Sequence, residues 1–119
     1  GFLQVSGLKF TIDTSVPSSV KKDDKGLFVA VEGERKVKDV YVEKDGEWTP
    51  IDPEATYTVA CHNYMLQDMD DGYTMFADNQ YILDKVMLDN QVIITYICDF
   101  LGGNVGEEYS APQGRITII

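Results

Sequence analysis

Asp68, Asp70 and Asp71 form a dense acid cluster set among aromatic residues, in the stretch 62–76 that reads HNYMLQDMDDGYTMF. A carboxylate accepts hydrogen bonds from two adjacent hydroxyls at once, so one reading of the cluster is recognition of ligand hydroxyls. The competing reading is a solvated turn, with Asp71-Gly72 present for its backbone geometry. Spacing alone favours the turn. A calcium loop is a third reading. The aspartates begin like one, but Gly72 falls at the fifth position and no glutamate follows at the twelfth. Tyr64 and Tyr73 flank the cluster. Two rings there can sandwich a planar base, at about 1–3 kcal/mol per stacking contact, or simply pack at the rim of a core. His62 reads as a satisfied strand-end histidine rather than a base or a ligand. The sequence carries no paired catalytic carboxylates, no phosphate-binding glycine loop and no metal-ligand cluster.

The elements that must position these residues are legible in outline. Leu8, Phe10 and Ile12 alternate with polar residues, as in a half-buried strand. Residues 14–26, with Pro17 and KKDDKG, read as a loop, and 27–31 as a short strand. Val40 and Val42 lie on a strand that leads into Asp45-Gly46, a hairpin signal, with Trp48 on the return. Pro53 marks a turn. Tyr57, Val59 and Cys61 then fall on one face of an expected strand over 56–61. One helix is expected between 79 and 103, capped by Asp89 and ended by Gly102-Gly103. Its apolar stripe is Ile93, Tyr96, Ile97, Phe100 and Leu101, expected to face the core. Residues 115–119 close as a strand. The class is α+β, a mixed or antiparallel sheet packed by one main helix.

The 119 residues suit a single domain. A formal net charge of −10 argues against nucleic-acid strands and anionic membranes as partners. No apolar run reaches the roughly 18 residues needed to span a bilayer. Residues 1–3 lead straight into strand-like sequence with no signal peptide, the pattern expected of a mature or excised piece. Cys61 and Cys98 are too few and too far apart for a disulfide framework or a zinc knuckle, and read as buried free thiols. With His62 the single histidine, a Cys/His nucleophile pair has little support.

Four segments carry a further signal. The chain opens GFLQVSGLKF, continues through KVKDV to IDPEATYTVA, reaches Asn63-Tyr64 and Asp71-Gly72-Tyr73, and closes on Gly114-Arg115-Ile116. In that order they resemble the C-terminal domain of the 5′-nucleotidase family, whose segments read GFLQVSGLRF, RVxDVxVNGxPLDPxxTYTVA, N-F-L-A-x-G-G-D-G-Y/F and GRI. The resemblance covers nearly the whole chain. It implies a C-terminal domain that grips a nucleoside between two aromatic rings while an aspartate accepts from the ribose hydroxyls. Carried over by position, Tyr64 takes the place of one stacking aromatic and Asp71 that of the ribose-binding aspartate, with Asn63 preceding Tyr64 as in the family. The family's Gly-Gly is here Met69-Asp70, and the loop from Tyr64 to Asp71 is one residue longer. Met and Asp do not favour the backbone angles that glycines allow, so either Asp70 substitutes for Asp71 or the pocket takes another ligand.

In that family an N-terminal metallophosphoesterase domain holds two metal ions and hydrolyses phosphate esters. The resemblance therefore implies that this chain is the later part of the C-terminal domain of a 5′-nucleotidase-type hydrolase of nucleotide catabolism. No catalytic residue, metal ligand or cofactor is expected in the fragment itself, which should be inactive alone, the divalent metals belonging to the absent N-terminal domain. The implied partners are a nucleoside or nucleotide, that N-terminal domain, and a second copy of the truncated chain held through exposed apolar surface. A secreted, periplasmic or cell-surface location is implied as well. Related cyclic phosphodiesterases, UDP-sugar hydrolases and sulfur-compound hydrolases share the pattern. The rival from another class is a non-catalytic binding or interaction module that keeps this fold.

Overall fold

Alternating apolar residues make Leu8–Ile12 the strand β1, and the first part of the molecule is built on it. The computed structural model describes residues 3–69 and 72–119. These fall into two units, one holding the residues up to Thr58 together with Gly114–Ile119, the other Val59–Gln113.

In the first unit β2 (Val20–Lys22) and β3 (Phe28–Val31) form a small antiparallel hairpin. Strands β4 (Val37–Lys44), β5 (Glu47–Pro50) and β6 (Ile116–Ile118) join β1 in a four-stranded sheet of order β5-β4-β1-β6. β1 runs antiparallel to β4 and parallel to β6, so the sheet is mixed, as the sequence leads one to expect. Asp45 and Gly46 both take positive φ, 53° and 81°, and make the two-residue turn between Lys44 and Glu47. Register slips by one residue between Lys9 and Thr11, where Asp39, at φ 51°, marks a bulge in β4. Across three strands, the Lys9 ammonium lies 4.9 Å from the Tyr41 ring centre and 4.8 Å from that of Trp48, a cation–π staple on one face. Val16 is the one buried apolar residue described in this unit.

The second unit carries α1 (Asn63–Leu66), a 3-10 turn over Thr74–Phe76, the main helix α2 (Asp89–Thr95), a π turn over Tyr96–Phe100 and a last 3-10 turn over Glu107–Tyr109. A mixed sheet and one main helix make the α+β fold that was expected.

Several local expectations are corrected. The stretch 14–26 is not all loop. β2 lies within it, and Asp23 builds the hairpin turn by accepting from the Lys25 and Leu27 amides at 2.9 and 2.8 Å. Residues 56–61 form no strand, and Tyr57 and Val59 are exposed. Alternation describes fit to a half-buried pleated surface, and among the described residues no strand pairs with them. Cys61 and Cys98 are free thiols, but exposed rather than buried. Finally, Leu88 takes the cap position of α2 and Asp89 is its first helical residue. The expected end holds, with Gly102 and Gly103 at φ 64° and 82° and the Gly103 amide donating to the Ile97 carbonyl at 2.8 Å. The apolar stripe stays partly open. Ile97 and Leu101 are half-buried while Ile93 and Phe100 are exposed, and Ile93, Tyr96, Ile97 and Leu101 with Val105 and Tyr109 line an apolar groove of about 310 Å³.

An ion pair ties β4 to the end of β1. Lys38 Nζ donates to Asp13 Oδ2 at 2.7 Å, while the Ser15 hydroxyl and amide donate to Asp13 Oδ1 at 2.6 and 3.0 Å. Lys38 first, then Ser15, holds the Asp13 carboxyl at about 2, below its ordinary 3.8, and the same bond raises Lys38. Because the folded value is the lower one, the stabilisation is complete above the ordinary carboxylate range and is lost as pH falls through about 2. The pair is near the surface, so the effect is small. Lys38→Met should lower the denaturation midpoint at neutral pH, and the gap from wild type should close as Asp13 titrates. A gap that stays constant into strong acid would overturn this account.

Candidate functional site

Asn63 and Tyr64 sit on a single helical turn, which the chain must hold from outside because one turn is not self-supporting. His62 begins it. Its backbone is extended, and its Nδ1 accepts from the Tyr64 amide at 3.1 Å. The proton of the neutral ring then lies on Nε2, which is 3.9 Å from Asp89 Oδ2. His62 is thus a satisfied histidine, as expected, but as a helix cap and not at the end of a strand. The Asn63 carbonyl accepts from the Gln67 and Asp68 amides at 2.8 and 3.2 Å, closing the turn. Met65 is buried, only 8% exposed, and anchors the inner face, while Tyr64 beside it is 41% exposed.

Two bonds from later in the chain meet the far end of α1. The Tyr81 hydroxyl donates to the Leu66 carbonyl at 3.0 Å, and Gln67 Nε2 donates to Asp84 Oδ1 at 2.6 Å. Nothing in the residue pattern marks Tyr81 or Asp84, since 80–88 has neither periodicity nor a motif.

Of the acid cluster, Asp68 is exposed. Asp70 and Asp71, the two expected ribose-binding carboxylates, lie outside the described residues. On either side of them Met69 and Gly72 take positive φ, 54° and 86°. Tyr73 stacks on Phe76 with ring centres 6.4 Å apart and planes 16° from parallel, so packing occupies that ring at least in part. Among the described residues no three His, Cys, Asp or Glu side chains gather where they could hold a metal ion. The described residues thus offer no fit to a divalent metal, and no metal chemistry is assigned to them.

The left-handed conformation at Met69 falls where the family pattern has glycine. For a residue with a Cβ it costs about 1–2 kcal/mol, against about 0.5–1 kcal/mol for the extra freedom a glycine loses on folding. Met69→Gly should therefore stabilise the protein by up to about 1 kcal/mol in urea denaturation, and Met69→Ala should not. A destabilised glycine variant would show that Met69 contributes packing larger than its backbone strain.

Residues 1–78 match the family model described as the 5′-nucleotidase C-terminal domain. No curated protein and no solved structure matches the chain. The matched residues are most of the 119 and take in β1 through α1 and the acid cluster of the sequence, so the chain belongs to the 5′-nucleotidase C-terminal domain family.

Proposed function

We propose that this chain is the nucleoside-recognition part of a 5′-nucleotidase-type hydrolase. The single observation that carries the reading is α1: within the family match, an anchored turn presents an exposed aromatic ring, Tyr64, next to Asn63. Tyr64 stacks on the base and Asp71, or Asp70 beside it, accepts from the ribose hydroxyls. Lys85 is the sole lysine or arginine between residues 59 and 113. Such a surface suits the uncharged nucleoside moiety better than its phosphate. Hydrolysis belongs to divalent metals in another domain of the intact protein, where they supply the activated water. The contribution of this chain is orientation, which can account for a large share of a barrier reduction. The family association supports a secreted, periplasmic or cell-surface setting.

A second reading, an interaction module without catalysis, draws on Met69-Asp70 standing where the family has Gly-Gly. Adenosine and uridine titrations of the intact protein separate the two. Tyr64→Ala and Asp71→Ala should each weaken binding at least about tenfold. If neither does while wild type binds, the site lies elsewhere. No nucleoside binding by wild type supports the module.

Leu83, Leu88, Ile93 and Phe100 are all more than half exposed, and this apolar surface supports self-association of the isolated chain. Its elution volume should shift toward a dimer as concentration rises, and a strictly monomeric profile at high concentration would refute that.

A further inference from the structure

A four-residue helix leaves its last carbonyls without intrahelical partners, and these must be met by something else. In α1 the Leu66 carbonyl is met by the Tyr81 hydroxyl. One residue on, the side chain of the capping Gln67 is fixed by Asp84. Both anchors come from one short segment without helix or strand, 15 and 17 residues beyond the groups they hold. The start of the turn is capped locally by His62, so 81–84 supplies the restraint that local sequence does not. Both Tyr81 and Asp84 also lie beyond the residues matched to the family, so the match assigns them no role.

We infer that Tyr81 and Asp84 are positioning residues: they hold α1 and thereby set the orientation of Asn63 and Tyr64 for the ligand. The inference rests on the nucleoside reading for its ligand, though not for its geometry. Neither residue touches the ligand. Tyr81 acts through the Leu66 carbonyl and Asp84 through the Gln67 amide. A stacking contact depends on the angle and offset of the ring, so a turn free to rock would spread Tyr64 over orientations of which few stack.

The test uses the intact protein with adenosine, and Tyr81→Phe, Asp84→Ala and Asp84→Asn. Tyr81→Phe deletes one donor and little else. Asp84→Asn keeps an accepting oxygen for Gln67, whereas Asp84→Ala removes it. Tyr81→Phe and Asp84→Ala should weaken adenosine by about three- to tenfold, with Asp84→Asn within about twofold of wild type. In the ligand-free protein, the Gln67 and Asp68 amides, which close α1 on the Asn63 carbonyl, should exchange faster in the two weakened variants. Amides of β1 and β4 should be unchanged.

Unchanged affinity alongside unchanged exchange would overturn the inference. So would a uniform loss of protection across the protein, or an Asp84→Asn variant as weak as Asp84→Ala, since both describe general destabilisation. If wild type binds no adenosine, the nucleoside reading falls, but the exchange rates still decide whether these two side chains hold α1.

Discussion

β1 has hydrogen-bonded neighbours on both edges, and the course of the rest of the chain follows from that. On one side it meets β4 and on the other β6, which brings residues 8–12 against both 37–42 and 116–118. The join with the chain end is secured beyond the strands themselves. The Phe10 amide donates to the Arg115 carbonyl at 2.9 Å, and both the amide and the hydroxyl of Thr14 donate to the Ile119 carbonyl. Parallel neighbours cannot be linked by a tight turn, so the chain must leave the sheet and travel before it returns. Residues 59–113 lie on that excursion. The entropic cost of closing a loop rises only slowly with its length, so the sheet tolerates a long one. The excursion is correspondingly free of strand register, and its structure follows local rules.

Those local rules are mostly polar. Among the described residues the second unit has no strand and one buried apolar side chain, Met65. Its short helices lie at or below the length at which a helix is stable by itself. Specific bonds between side chains, or from side chain to backbone, hold them. His62 starts α1, Tyr81 and the Gln67–Asp84 pair hold its end, the Tyr96 and Tyr109 hydroxyls meet at 2.7 Å, and Ser110 Oγ donates to the Glu107 carbonyl at 2.6 Å. Bonds of this kind fix direction more than they add stability, each being worth about 1 kcal/mol net. A unit assembled in this way can orient a ring such as Tyr64 while leaving it open to solvent.

The sequence signals that succeeded were those with a local mechanism. Leu8, Phe10 and Ile12 alternate because one strand face differs from the other, and Asp45-Gly46 and Gly102-Gly103 supply the positive φ that a hairpin and a helix end require. β2 escaped notice because Val20–Lys22 has one apolar residue and two lysines, and its pairing depends on the Asp23 turn. Residues 56–61 show the opposite failure. Tyr57, Val59 and Cys61 alternate well, but alternation says nothing about whether a partner strand is at hand. Of the candidate site, Asn63 and Tyr64 were legible through the resemblance and Met65 through neither route. Tyr81 and Asp84 leave no periodic trace, because a single bond across 15 or 17 residues imposes no pattern on the residues between.

Met69 brings these constraints together. Its backbone is left-handed, as is that of Gly72, the residue before the Tyr73–Phe76 stack. Glycine would take that conformation without a steric penalty; methionine does so only where its surroundings over-determine it. Just before Met69 in the chain lies α1, pinned by His62, Met65, Tyr81 and Asp84. The anchors at 81 and 84 therefore do more than finish a helix. They restrain the backbone at Leu66 and the side chain of Gln67, close before the position where methionine is left-handed and the family pattern has glycine.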